Sequence, residues 1–143
     1  MNLEELNFIN WKECEKTFIK KVSLDKNRIN SLLASSKKDL DKARTETDDS
    51  YAIERYYESI KKALTVLLLK NGLKSNNHQC LISYLYKNNP NKENECRIIL
   101  ELAYLRNRLS YYGENVPNGF LKENKKDIEN IIKWIFTLIN NDK

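Results

Sequence analysis

The chain has few residues that bend or break a helix, with three Gly and two Pro among 143 residues. A β-rich fold depends on Gly- and Pro-containing turns, so this scarcity argues against one. Histidine occurs once, at His78, and the three cysteines, Cys14, Cys80 and Cys96, lie far apart with no Cys-x-x-Cys pair. No recognisable zinc motif of four N/S ligands can be drawn from such a set, and neither metal nor cofactor is expected. Cys80 and Cys96 read instead as buried thiols packing as small hydrophobes. The longest strongly apolar run, 63–69, includes Thr65. It falls far short of the roughly 20 residues a membrane span needs, so no membrane partner is expected. The opening Met1-Asn2-Leu3-Glu4-Glu5 lacks the basic flank and apolar centre of a signal peptide. A cytoplasmic location is the expectation, and free thiols would agree with it.

The residues that are abundant favour helices. Apolar residues make up 41% and charged residues 31%, with Leu, Ile, Lys, Glu and Asn prominent. The length suits one domain with one continuous core. The expected fold is an all-α, antiparallel bundle of four main helices plus one or two shorter ones, with residues 1–24 a helix or arm packed on it. A net charge of +5 and a pI near 9.0 favour RNA or another acidic partner without establishing one.

Periodicity marks the helices. Trp11, Cys14, Phe18 and Val22 suggest a short amphipathic helix or arm over 11–24, followed by Ser23 and Asp25 as candidate caps. Ile29, Leu32, Leu33, Ser36, Leu40 and Ala43 form the stripe of a helix reaching about residue 46. Thr47-Asp48-Asp49-Ser50 supplies a cap and negative charge for the next helix, whose stripe runs from Ile53 through Tyr56, Tyr57, Ile60, Ala63 and Leu64 to Leu68. This central helix ends at Asn71-Gly72, where Gly takes a left-handed conformation at no steric cost. Ser75-Asn76-Asn77 caps a shorter helix with Leu81, Ile82 and Leu85, broken at Asn88-Asn89-Pro90-Asn91. A fifth helix spans about 92–112, and its wide apolar arc of Cys96, Ile99, Leu100, Leu102, Ala103, Leu105 and Leu109 suggests two neighbours, one of them a second subunit. Gly113 to Gly119 is a strong turn signal, and a last helix over about 120–140 carries Ile128, Ile131, Ile132, Ile135, Leu138 and Ile139.

Chemistry concentrates at the end of the fifth helix, in Tyr104-Leu105-Arg106-Asn107-Arg108-Leu109-Ser110-Tyr111-Tyr112-Gly113. Helical spacing puts Arg106, Asn107 and Ser110 on one face and Tyr104, Arg108 and Tyr111 on its neighbour. That string resembles the signature of the HEPN family, in which Arg and a following polar residue, often Asn, precede a His four to six residues later. The helix with Tyr56-Tyr57-Glu58-Ser59-Ile60-Lys61-Lys62-Ala63 and terminal Asn71-Gly72-Leu73 is similar to the family's upstream helix, as is Asn77-His78-Gln79-Cys80-Leu81. The resemblance covers about residues 25–140.

The resemblance implies a homodimer working beside a nucleotidyltransferase in a toxin–antitoxin type of system, with RNA as a further partner. Arg106 would position phosphate, and Arg106, Asn107, Arg108, Tyr104 and Tyr112 would contact RNA or the partner. The chain departs from the pattern where it matters for catalysis. Tyr111 or Tyr112 stands where ribonuclease members carry His, and a pKa near 10 rather than about 6.5 makes Tyr a weak base at neutral pH. An interaction protein is therefore the first expectation. A metal-independent ribonuclease using Arg106 with Tyr111 or Tyr112 is the alternative. His78 is expected to cap or pack its own helix rather than replace the motif His. For Arg106 a structural reading, pairing with Glu101, Glu114 or a buried carbonyl, stands beside the phosphate reading.

Overall fold

A computed structural model describes residue 6, residues 8–113 and residues 119–141, with the side chains of Ser110, Tyr111 and Tyr112 outside that description. Among these residues the fold is all-α. Its helices are α1 (Trp11–Thr17), α2 (Lys26–Thr45), α3 (Asp49–Lys70), α4 (His78–Asn88), α5 (Glu93–Tyr112) and α6 (Phe120–Asn141). Two three-residue strands, β1 (Ile19–Lys21) and β2 (Leu73–Ser75), accompany them.

The caps fall where short polar residues precede the apolar stripes. Asp25 accepts a hydrogen bond from the Arg28 amide (3.0 Å), Asp48 from the Ser50 amide (2.8 Å) and Asn77 from the Gln79 amide (2.8 Å). Each satisfies one of the amide groups that the first turn of a helix leaves without a carbonyl. At the other end of α3, Gly72 adopts φ +72°, and Gly113 closes α5 at φ +64° with its amide on the Arg108 carbonyl.

One local expectation fails. The helix expected over 11–24 stops at Thr17, and the chain turns extended to pair β1 antiparallel with β2, Ile19 opposite Ser75, Lys20 opposite Lys74 and Lys21 opposite Leu73. The Val22 amide bonds the Gly72 carbonyl and the Asn76 amide bonds the Phe18 carbonyl, lengthening the ribbon at both ends. Phe18 and Val22 are four residues apart, a spacing that fits one helical turn and an even number of strand steps equally well. The expected break falls in place, with α4 ending at Asn88 and Pro90–Lys92 forming a 3₁₀ turn that runs directly into α5.

The bundle is organised on α3, which packs against α2, α4, α5 and α6. Helices α2 and α3 run antiparallel, as their cross-links show. Ser36 and Ser59 exchange buried hydroxyl and carbonyl hydrogen bonds at 2.7–2.9 Å, and the buried Asp39 carboxylate takes Lys62 at 2.6 Å and Arg55 at 3.3 Å. Tyr56, fully buried on α3, donates its hydroxyl to Glu129 of α6 at 2.8 Å, and Arg44 of α2 forks onto the same carboxylate, its closest contact 2.7 Å. This network ties three helices at one level. Burial alone would raise the Glu129 pKa, but the bonds from Arg44 and Tyr56 outweigh it and hold the carboxyl below its usual range.

The N-terminal segment packs on α4. Leu6 is buried in the main core, Phe8 meets Tyr86 edge-on at 5.9 Å, Trp11 meets Tyr84 at 5.3 Å, and the Ser83 hydroxyl donates to the Ile9 carbonyl. Here the cysteine reading is corrected. Cys14 of α1 and Cys80 of α4, both fully buried, form a disulfide across a Cα–Cα distance of 5.6 Å. They lie 66 positions apart in the chain, and only the folding of α1 onto α4 brings them together. Cys96 alone is a buried free thiol, its pKa pushed up to about 12 by burial with some help from Glu95 and Glu93. Because disulfides are uncommon in reducing compartments, the cysteines no longer support the cytoplasmic expectation.

The wide apolar arc of α5 is also accounted for within one chain. Cys96, Ile99, Leu100, Leu102 and Ala103 are all buried, against α3, α4 and α6, and Leu105 and Leu109 pack half-buried at the core's edge. The arc by itself therefore requires no second subunit.

Candidate functional site

The polar end of α5 meets the middle of α3 and the start of α4. From Tyr104 to Leu109 every residue is half-buried, so this stretch presents no fully solvated face. Arg106 points at α3. Its Nη2 lies 3.4 Å from Glu58 Oε1, and its guanidinium sits over the Tyr57 ring at 5.7 Å from the centroid. The Tyr57 ring, itself buried, forms a wall that partly desolvates the cation and attracts it through the negative ring face.

Glu58 Oε1 also takes the ammonium of Lys61 at 3.0 Å, one turn along α3. Two cations thus share one carboxylate oxygen, and the trio carries one positive charge in excess. The Arg106 side chain remains only about 20% exposed. Of the five N–H donors of its guanidinium, one makes a long bond to Glu58, and the buried Nε has no acceptor among the described residues. A structural arginine is normally gripped by a bidentate carboxylate, as Arg44 is by Glu129. Arg106 is held more loosely.

His78 completes the cluster from α4. It does not cap that helix, since Asn77 does, and it does not pack in the core, since it is exposed. The expectation that it would cap or pack is therefore corrected. Its pKa is lowered from the ordinary histidine value, first by partial withdrawal from water and then by the positive charges of Lys61 and Arg106, with Glu58 acting in the opposite sense. His78 and Arg106, on different helices and 28 positions apart in the chain, lie within electrostatic reach of each other.

The remaining expected residues fall around this centre. Arg108 stacks its guanidinium over the Tyr104 ring at 5.4 Å, so Tyr104 packs against the bundle and against a cation at once. Asn107 is half-buried beside them. The side chains of Tyr111 and Tyr112, and Glu114 as an alternative partner for Arg106, lie outside the described residues. Glu101 does not pair with Arg106; Glu58 does.

Glu58 and Lys61 are site residues that helical periodicity alone did not single out. They border the apolar stripe of α3 at i, i+3, a pattern that marks a pair at the rim of a core, but their link to Arg106 spans 48 positions. Among the described residues no group of three or more His, Cys, Asp or Glu is placed to hold a metal ion, and no helix is long and apolar enough to cross a membrane. Comparison with protein-family models, with curated proteins and with solved structures finds no match for this chain.

Proposed function

We propose that this chain is a HEPN-like RNA-contacting module in which Arg106 holds a backbone phosphate. The observation that carries the reading is the two-to-one pairing of Arg106 and Lys61 with Glu58, which leaves a half-buried guanidinium loosely held in a site of excess positive charge. A phosphate is the anion that a guanidinium fork fits best, and a semi-desolvated site strengthens the contact. The family resemblance extends the reading to a homodimer that works beside a nucleotidyltransferase in a toxin–antitoxin type of system.

A second reading, a metal-independent ribonuclease, is favoured by one observation. His78 stands within electrostatic reach of Arg106, so an imidazole able to exchange a proton is present although the motif position holds Tyr111 and Tyr112. In that reading His78, rather than a tyrosine, moves the proton and Arg106 bears the phosphate.

One experiment separates the readings. Purified chain is incubated with single-stranded RNA, and binding and cleavage are followed together for the unmodified protein, Arg106→Ala and His78→Ala. The module reading expects binding without cleavage, weakened by Arg106→Ala. Cleavage lost in both variants supports the ribonuclease. Binding equal in all three removes Arg106 from the site. Solution mass measured in parallel tests the homodimer, which a strictly monomeric mass at high concentration would exclude.

A further inference from the structure

The β1–β2 ribbon carries an arrangement that its own packing does not explain. Lys20 and Lys74 stand directly opposite each other in the antiparallel register, so their side chains leave the same face of the ribbon. Like charges opposite one another destabilise a strand pair. Among the described residues no carboxylate pairs with Lys20, Lys21 or Lys74 to relieve them, and the acids of the adjoining helix, Glu13 and Glu15, form no ion pair with them. The other face of the ribbon holds Ile19 and Leu73 against the core, which fixes the outward direction of the lysine pair. Lys20 and Lys21 are exposed and Lys74 is half-buried.

The position of the ribbon gives this pair a direction. Lys74 lies four residues before His78, a stretch of chain that spans no more than about 14 Å. The strip therefore leads from Lys20 and Lys74 to the start of α4, where His78 lies within electrostatic reach of Lys61 and Arg106.

We propose that the β1–β2 ribbon is a second contact for the phosphate backbone of single-stranded RNA, with Lys20 and Lys74 holding phosphates that flank the one on Arg106. The proposal rests on the RNA reading of the Arg106 cluster and adds to it the path of the strand. A flexible single strand can follow cations around the corner from a ribbon to a helix end, and electrostatic tracking of a backbone needs no base recognition.

The test is the salt dependence of affinity for a labelled single-stranded RNA, measured on the full chain from about 50 to about 200 mM salt. Each phosphate released from a lysine removes about 0.7 from the slope of log K against log salt. Lys20→Gln/Lys74→Gln is expected to flatten the slope by about 1.4 and to weaken binding roughly 60-fold at the lower salt and roughly 10-fold at the higher. Lys20→Arg/Lys74→Arg should keep the original slope. Removing the like-charge pair should leave the melting temperature unchanged or slightly higher; should the double variant fail to fold, exposed Lys20→Gln alone carries half the change in slope. An unchanged slope in a folded ribbon variant, with Arg106→Ala still weakening binding, overturns the ribbon contact and leaves the Arg106 reading intact. No binding by the unmodified chain at the lower salt overturns both.

Discussion

Reduction of the Cys14–Cys80 bond should cost the fold a large part of its stability. The bond closes a loop of 66 residues, and the chain-entropy relation for such a loop gives about 4 kcal/mol of stabilisation through the unfolded state. Against a typical domain stability of about 5–15 kcal/mol, that is roughly a quarter or more of the total. Locally, the cost should fall on the N-terminal segment, because the bond joins the core-facing side of α1 to α4 beside the Trp11–Tyr84 and Phe8–Tyr86 contacts. Urea unfolding of oxidised protein and of protein held in excess dithiothreitol measures the difference directly. Thiol titration gives the chemical control: one thiol in oxidised, denatured protein, three after reduction, and slow reaction of the native protein, since buried Cys96 has its pKa raised to about 12. Three thiols titrating before any reductant is added, or coincident urea midpoints with and without it, would rule out a stabilising bond.

The buried polar networks lead to further expected outcomes. Tyr56→Phe should destabilise by about 1.5–3 kcal/mol, the range for a hydrogen bond to a charged group, read as a shift in urea midpoint; no shift would mean that Glu129 does not depend on it. Because the folded state holds the Glu129 pKa below its unfolded value, the stabilisation is full above the ordinary carboxylate range and is lost as pH falls through the lower folded pKa. Glu129→Gln should therefore flatten acid-side melting curves taken from neutral pH downward, and an unaltered curve would show that the carboxylate is not linked to folding. For His78 the lowered pKa means that the unfolded chain binds its proton first, so stability declines slightly as pH drops below about 6.5. RNA should act in the opposite sense, favouring the imidazolium beside Lys61 and Arg106. Affinity should rise from about pH 7.5 to about pH 5.5, and His78→Ala should abolish that rise; a rise that persists in His78→Ala would assign it to another group.

The helices were legible because their ends carry local chemistry. Asp25, Asp48 and Asn77 cap within three residues of themselves, and Gly72 and Gly113 need only their own φ angles, so nothing distant had to be known. Tyr56 and Tyr57 likewise declared themselves as core by position on the α3 stripe. What escaped the sequence lies in pairings over long stretches of chain. The Cys14–Cys80 bond, the β1–β2 ribbon and the Glu58–Arg106 contact each join residues about 48 to 66 positions apart. Helical periodicity reports which side of an element faces inward, but not which other element it will meet there.

The candidate site was half legible for the same reason. Arg106, Asn107, Arg108 and Tyr104 stood out as a polar, aromatic interruption of an apolar helix, and the structure separates them into an Arg106 cluster and an Arg108–Tyr104 stack. Their partners from α3 and α4 could not be read locally. His78 was singled out as the sole histidine, yet its proximity to Arg106 depends on how α4 leaves the ribbon. The breadth of the α5 apolar arc suggests a second subunit from sequence alone, and within the chain it is accounted for by burial of α5 against α3, α4 and α6.

Whether Arg106 holds a phosphate is decided most simply by the affinity of the full chain for a labelled single-stranded RNA at about 50 mM salt, compared with that of Arg106→Ala. Binding that weakens by roughly tenfold in the variant, the loss of one phosphate contact at that salt, is the expected result. Equal affinity in the two proteins, or no binding by either, would remove RNA contact from Arg106.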